Sequence, residues 1–350
     1  MAARFTMVSW TPFKRAYDAV LGLGLVLFFA AYLAATFLAA PEGQRPSEIQ
    51  VVIRASGAAA FSLLTIILCI GPLARLTPAA LPLVYNRRHL GVVCFLVALV
   101  HGALVVLWYH GFSQVNPFVS LLTSNANYAA FGGFPFESLG LIALLILFVM
   151  AATSHDFWNG VLGPRMWKTL HMGVYAAYGL LVGHVMLGAA LGTKGTAQAG
   201  LVAVSAALVS GLHIAAGLRE RARERRVAAE TEGWLDAGEA EAIPDGRAVI
   251  LVPPEGERIA VFRDGAQVFA VANACRHQGG PLGEGRIIGG CIVCPWHGFQ
   301  YRPGDGSSPP PYTEKIPTYR TRIIEGRVLV EPMAQAPGTA VAPSHIGEGG

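Results

Sequence analysis

Charge is what this sequence has least of. Asp, Glu, Lys and Arg make up 14% of its 350 residues, against roughly a quarter in an ordinary soluble domain. Much of the chain therefore cannot face water, which excludes a single water-soluble enzyme. With 53% hydrophobic residues it is no disordered chain either. A cationic stripe is also missing. The net charge is +4, and Lys and Arg stand at the ends of apolar segments, so nucleic acid is not an expected partner. Cysteine is scarce, and of the five present Cys275, Cys291 and Cys294 crowd together. That excludes a disulfide-stapled scaffold and points to metal. No G-x-G-x-x-G run marks a dinucleotide site.

Long apolar runs, by contrast, abound. A bilayer core about 30 Å thick needs roughly 20 apolar residues as a helix. Six stretches qualify: residues 20–40, 51–73, 90–109, 139–153, 170–191 and 201–218. The fourth is short unless it borrows residues 134–138. The first exceeds the 7–15 residues of a signal-peptide core and reads as an anchor. Arg4, Lys14, Arg15, Arg75, Arg87, Arg88, Arg165, Lys168 and the arginines of residues 219–226 fall on one side of these spans. Only Arg45, Arg54 and Lys194 fall on the other, and the long loop 111–137 has no Lys or Arg. The positive-inside rule then puts both termini in the cytoplasm of a multi-pass inner-membrane protein.

Five regions follow. Residues 1–19 form a cytoplasmic segment and 20–218 the six-span domain. Residues 219–230 are a basic linker that continues the sixth helix and contacts phospholipid. In 231–332 short β-branched runs (248–252, 259–262, 268–271, 286–288, 292–293, 322–324, 327–330) alternate with turn signals such as Asp264-Gly265 and Glu325-Gly326. That texture predicts a small antiparallel β domain. Residues 333–350, rich in Pro, Gly and Ala, read as a disordered tail.

Chemistry concentrates in Cys275-Arg276-His277 and Cys294-Pro295-Trp296-His297. Two Cys–His pairs on adjacent loops suit two irons, thiolates on one and neutral imidazoles on the other, with bridging sulfides. A tetrahedral zinc ion is the alternative, although zinc-finger spacing groups like ligands together. The pattern resembles the Rieske [2Fe–2S] family over residues 231–332. The resemblance implies Cys275 and Cys294 on one iron, His277 and His297 on the other. High-potential members carry a disulfide and a serine where this chain has Gly280, Trp296 and Phe299. Their absence implies the lower-potential ferredoxin type, fed by a reduced carrier rather than by quinol. Tyr301 is a candidate hydrogen-bond donor to the cluster or a core residue, and Cys291 a buried bystander.

Ionisable residues inside a span are functional candidates. His101 lies in the third span, His89 begins it, and His171 and His184 bound the fifth. Imidazole ligates haem iron, and without Cys-x-x-Cys-His any haem is of b type. The two spans run the same way, so His89 and His171 lie near the cytoplasmic face. His101 and His184 lie 12 and 13 residues further on, about 18–20 Å along the helices. Two levels of paired histidines predict two stacked haems. His213 reads as an interhelical hydrogen-bonding residue; His110, His155 and His345 do not read as ligands.

The segments Arg87-Arg88-His89-Leu90-Gly91, Val100-His101-Gly102, residues 167–175 and Gly183-His184 resemble the ferric reductase-like transmembrane superfamily, in the branch of bacterial methionine sulfoxide reductase haem subunits. The likeness covers residues 21–218. That branch typically lacks a histidine where His89 stands, which leaves the fourth ligand open. Arg75, Arg87 and Arg88 suit haem propionates or, equally, ordinary positive-inside anchoring. The expected fold is thus an all-α six-helix transmembrane bundle followed by an all-β Rieske domain. The expected function is electron transfer from a cytoplasmic NAD(P)H-dependent reductase or ferredoxin, through the [2Fe–2S] cluster and two b haems, to a periplasmic protein or small oxidant. A quinone-linked cytochrome b, or an enzyme reducing ferric chelates or oxygen, is the alternative. Whether the chain is itself an enzyme depends on that acceptor.

Overall fold

The structure, a computed structural model, describes residues 12–40, 45–80, 83–84, 86–124, 134–190, 195–224, 230–231, 233–277, 279–296, 298–310 and 312–347. The chain divides into two compact units: Met1–Ile70 with Asn86–Leu212, and Gly71–Tyr85 with His213–Gly350.

The first unit is helical. In chain order come α1 (Pro12–Ala39), α2 (Glu48–Leu76), α3 (Arg87–Val105) with a π turn at Val106–His110, and the short α4 (Pro117–Thr123). They are followed by α5 (Phe136–Ala152), α6 (Asp156–His171), α7 (Gly173–Ala190) and α8 (Gly195–Glu224). Among the described residues five segments are long and apolar enough to cross a membrane: Lys14–Ala39, Glu48–Leu76, Arg87–His110, Met166–Gly188 and Gln198–Arg219. Six were expected. The fourth apolar stretch does form a helix, but Pro135 precedes it and α5 has only 17 residues, about 26 Å at 1.5 Å per residue. Val20, Leu23, Leu107, Val204 and Leu218 are each more than half exposed, as lipid-facing side chains must be when water is not the solvent.

Specific contacts tie the helices. Phe61 of α2 stacks on Tyr178 of α7 at 5.5 Å, and the Tyr178 hydroxyl lies 3.2 Å from Thr65 Oγ1. Cys94 of α3 donates its thiol to the Ala60 carbonyl. Helix α6 was not expected from hydropathy, since its sequence lacks an apolar stripe. Its start is set by His155, whose Nδ1 accepts from the Phe157 backbone N–H at 3.1 Å.

The second unit holds the β domain. Its strands are β1 (Glu230–Thr231), β2 (Trp234–Glu239), β3 (Ala248–Leu251), β4 (Ile259–Asp264), β5 (Gln267–Ala272), β6 (Arg286–Ile288), β7 (Cys291–Val293), β8 (Gln300–Tyr301), β9 (Thr318–Tyr319), β10 (Thr321–Ile324), β11 (Arg327–Val330) and β12 (Ser344–His345). They form antiparallel sheets in the orders β1-β2-β11-β10, β12-β5-β4-β3 (with β9 also on β5) and β6-β7-β8. Strand β4 is buried on both faces. Ile259 and Val261 enter one core with Leu235, Leu251 and Val330, whereas Ala260 and Phe262 enter a second with Ile292 and Tyr301. The second core is the one that holds Cys275 and Cys294.

Two expectations about boundaries need correction. The tail is structured up to Gly347: β12 pairs with β5, Thr318 Oγ1 donates to the Thr339 carbonyl at 2.9 Å, and Ile346 packs on the first core. Its composition is loop-like, but β5 leaves an open edge that backbone groups can pair with whatever their side chains. The segment Gly71–Tyr85, which begins inside the end of α2, groups with the β domain rather than with the other helices. There Arg75 Nε lies 3.8 Å from Glu284 and its guanidinium 5.9 Å from the Trp296 ring centre. Arg219 donates to the Leu76 carbonyl.

Candidate electron-transfer sites

In the β domain two loops of like build carry the cysteines. The Cys275 N–H donates to the Gly280 carbonyl (2.9 Å), and the Gly279 N–H returns to the Cys275 carbonyl (2.6 Å). In the other loop the Cys294 N–H donates to the Phe299 carbonyl (2.8 Å), and the Gly298 N–H returns to Cys294 (3.0 Å). Both returns need a residue at positive φ. Gly279 (+70°) and Gly298 (+68°) supply it without steric cost. The loops close on each other tightly: a Cβ on Gly280 would lie 2.6 Å from Cys294 Sγ. A second cysteine at that position, as in the disulfide-bearing members, has no room here.

Both thiols are 2% exposed. Tyr301, fully buried, takes a hydrogen bond on its oxygen from the Arg276 N–H (3.0 Å) and lies 3.4 Å from Cys275 Sγ. With its oxygen accepting from the backbone, the hydroxyl and the Cys275 sulfur share a second hydrogen bond. Burial, and then the neighbouring Cys275, hold the phenol far above the ordinary tyrosine range, so it stays a donor. Tyr301 is thus both core and sulfur ligand partner. His277 is partly exposed and stacks on Phe299 at 5.1 Å and 9°. His297 lies outside the described residues. Among the described residues no three His, Cys, Asp or Glu side chains converge as for a single ion. Cys291 sits in β7, unbridged.

Among the helices the structure brings His101 and His184 together. Their ring centres are 6.5 Å apart with planes at 79°. Each ring uses Nδ1 on a carbonyl of another helix: His101 on Ile53 (2.9 Å) and His184 on Phe136 (2.8 Å). A carbonyl only accepts, so Nδ1 carries the proton and Nε2 keeps its lone pair for a metal. Two metal–nitrogen bonds of about 2.0 Å each, plus the offset of nitrogen from ring centre, come to roughly 6 Å. A ring-centre separation of 6.5 Å thus leaves room for one iron between the two imidazoles.

The other two histidines face different partners. His89 Nδ1 lies 3.2 Å from the Asp18 carboxylate of α1, which also accepts from Asn86 Nδ2 at 3.0 Å. His171 ends α6, donates Nδ1–H to the Trp167 carbonyl (3.0 Å) and stacks on the Trp167 ring at 3.8 Å. Its Nε2 is buried without a hydrogen-bond partner. The Arg88 guanidinium covers the same Trp167, 5.2 Å from the ring centre, and reaches the Ser154 carbonyl. Arg87 opens α3. Asp18 and the glycines facing His101 and His184 escaped the reading of the sequence, because each matters only through a helix distant in the chain.

Residues 233–320 match the Rieske [2Fe-2S] domain, and residues 56–182 match the ferric reductase like transmembrane component. The protein-methionine-sulfoxide reductase heme-binding subunit MsrQ of Bordetella pertussis is 31% identical over 191 residues, which cover 54% of this chain and 85% of that protein. The ferredoxin component of the naphthalene 1,2-dioxygenase system of Pseudomonas aeruginosa is 31% identical over 102 residues, covering 29% of this chain and 97% of that one. A cholesterol 7-desaturase of Xenopus laevis is 36% identical over 105 residues, 28% of this chain, but the chain spans only 23% of its length. Membrane helices with facing histidines and a β domain with twin cysteine loops thus occur in one polypeptide, and the chain belongs to the ferric reductase-like transmembrane family, MsrQ-like in its helical region, with a C-terminal Rieske [2Fe–2S] domain.

Proposed function

We propose that this protein carries single electrons across the membrane, from a cytoplasmic NAD(P)H-dependent reductase or ferredoxin to an acceptor on the outer side. Cys275, Cys294, His277 and His297 would hold a [2Fe–2S] cluster. His101 and His184 would hold one b haem, and His171 with His89 a second. When bound, these groups supply reversible one-electron chemistry at iron; the polypeptide makes and breaks no bond. The observation that carries the reading is the His101–His184 pair, two imidazoles 6.5 Å apart with their Nδ1 protons committed to carbonyls.

The surrounding residues have defined tasks. Tyr301 directs a proton at Cys275 and steadies negative charge on sulfur. Asp18 fixes the ring of His89, as a carboxylate orients a ligating histidine. The buried Nε2 of His171 is the candidate ligand atom, and Ile146, Met150 and Leu170, the residue before His171, line an apolar groove of about 290 Å³. Arg88, held over Trp167, and Arg87 suit propionates at the cytoplasmic end of α3, and Arg75 remains a third candidate. The charge distribution supports six crossings, with α5 as the fourth, and both termini in the cytoplasm of an inner membrane. MsrQ is by its name a heme-binding subunit of a protein-methionine-sulfoxide reductase, which favours a periplasmic protein as acceptor here.

Inside-out vesicles given NADH and a soluble ferredoxin reductase with its ferredoxin test this. Haem absorbance should go to the reduced form, and Cys294→Ser should abolish that reduction. Equally fast haem reduction by quinol alone, with the cluster removed, would reverse the proposed direction.

A further inference from the structure

The two central histidines are seated in the same way twice. Each accepting carbonyl lies 48 residues before its histidine. One helical turn after each carbonyl stands a glycine: Gly57 after Ile53 in α2, Gly140 after Phe136 in α5. A Cβ on Gly57 would lie 2.9 Å from His101 Cε1 and 3.0 Å from its Nδ1. A Cβ on Gly140 would lie 3.0 Å from both Cε1 and Nδ1 of His184. Neither glycine has positive φ, so neither is there for a backbone conformation that other residues avoid. Gly22, Gly24 and Gly179, also within helices, have nothing within 4 Å of such a Cβ.

We infer that Gly57 and Gly140 are positioning residues for the His101–His184 pair, each forming the floor on which one imidazole lies flush against the neighbouring helix. The inference rests on the reading of these histidines as haem ligands. The clash is not with the loose end of a flexible side chain. Each ring is pinned at Nδ1 by a carbonyl one turn away on the same helix as the glycine, so it cannot tilt aside without giving up that bond. An alanine therefore displaces the ring by a few tenths of an ångström. A metal–nitrogen bond of about 2.0 Å does not tolerate such a displacement. Since glycine weakens a helix interior relative to alanine, the two positions would otherwise be better filled by alanine. The equal construction predicts equal effects at the two sites.

The test uses the full-length protein purified in detergent, with Gly57→Ala, Gly140→Ala, Gly24→Ala and His101→Ala compared by EPR and redox titration. Gly57→Ala and Gly140→Ala should each lose, or shift to altered g-values and midpoint, the low-spin haem signal that His101→Ala removes. The [2Fe–2S] signal of the same samples, and both signals in Gly24→Ala, should not change. Unaltered g-values and midpoint in both glycine variants, with His101→Ala losing the signal, would overturn the inference alone. If His101→Ala keeps every haem signal, the ligand reading falls and takes this inference with it. Should the glycine variants lose haem through poor folding, a double-mutant cycle decides. Thermal stability lost in Gly57→Ala should return when His101→Ala removes the ring. No recovery in the double variant means that the alanine clashes elsewhere and overturns the inference.

Discussion

The two halves of the molecule hold their candidate ligand side chains by opposite means. In the β domain each cysteine is fixed by its own loop: Cys275 is bonded to Gly280 and Gly279, Cys294 to Phe299 and Gly298. In the helical region His101 and His184 are fixed by carbonyls 48 residues away on other helices. A loop can be set by its local sequence, because a positive-φ glycine and a few backbone bonds define it. In the helices the carbonyls of Ile53 and Phe136 use a second lone pair to serve an imidazole of a neighbouring helix. The lesson is that local motifs suffice for the cluster, while the haem pair requires the helices to be packed first.

This contrast can be broken experimentally, beginning with the largest effect. Cys294→Ser should eliminate the [2Fe–2S] EPR signal while leaving haem spectra intact, because its loop is self-contained. Loss of haem from the same variant would show that the two regions do not fold independently. His184→Ala should remove the low-spin haem component and spare the cluster. Retention of a full bis-imidazole spectrum would remove this residue from the ligand set. A smaller change is expected from Tyr301→Phe. Deleting a donor to Cys275 sulfur destabilises the reduced cluster by about 1 kcal/mol, which lowers its midpoint by roughly 40 mV for a one-electron couple. An unchanged midpoint in a redox titration would make Tyr301 a packing residue only. Smallest of all, a chain ending at Pro332 loses the β12 edge and the Thr318–Thr339 bond. Its Rieske circular dichroism should melt a few degrees earlier; an identical melt would show that the tail adds nothing.

Much of this was visible before any coordinates. Strands β6 and β11 fall at residues 286–288 and 327–330, as the alternation of β-branched residues and turn pairs predicts, and β3 and β5 differ by a residue at their ends. Strand β2 was missed, since Trp234-Leu235-Asp236-Ala237 carries only weak alternation and becomes a strand by pairing with β11. The short β8, β9 and β12 likewise exist only because a longer strand offers them a partner. In the helical region hydropathy located the apolar segments but not α6, whose mixed composition gives no stripe, nor the break at Met172 that puts His171 at the end of a helix.

Apolar runs longer than any soluble core requires fix by themselves that this chain enters a bilayer. The Cys–His pairs point to an iron–sulfur site, for thiolate and imidazole spaced in that way suit two irons better than one zinc ion, and they carry the resemblance to the Rieske family. Which histidines face each other, which carbonyl sets their tautomer, and that Gly57 and Gly140 lie beneath them were decided only in three dimensions. Hydropathy records how much a helix prefers lipid and not the rotation at which it meets its neighbour. That angle comes from close packing of side chains distant in the chain.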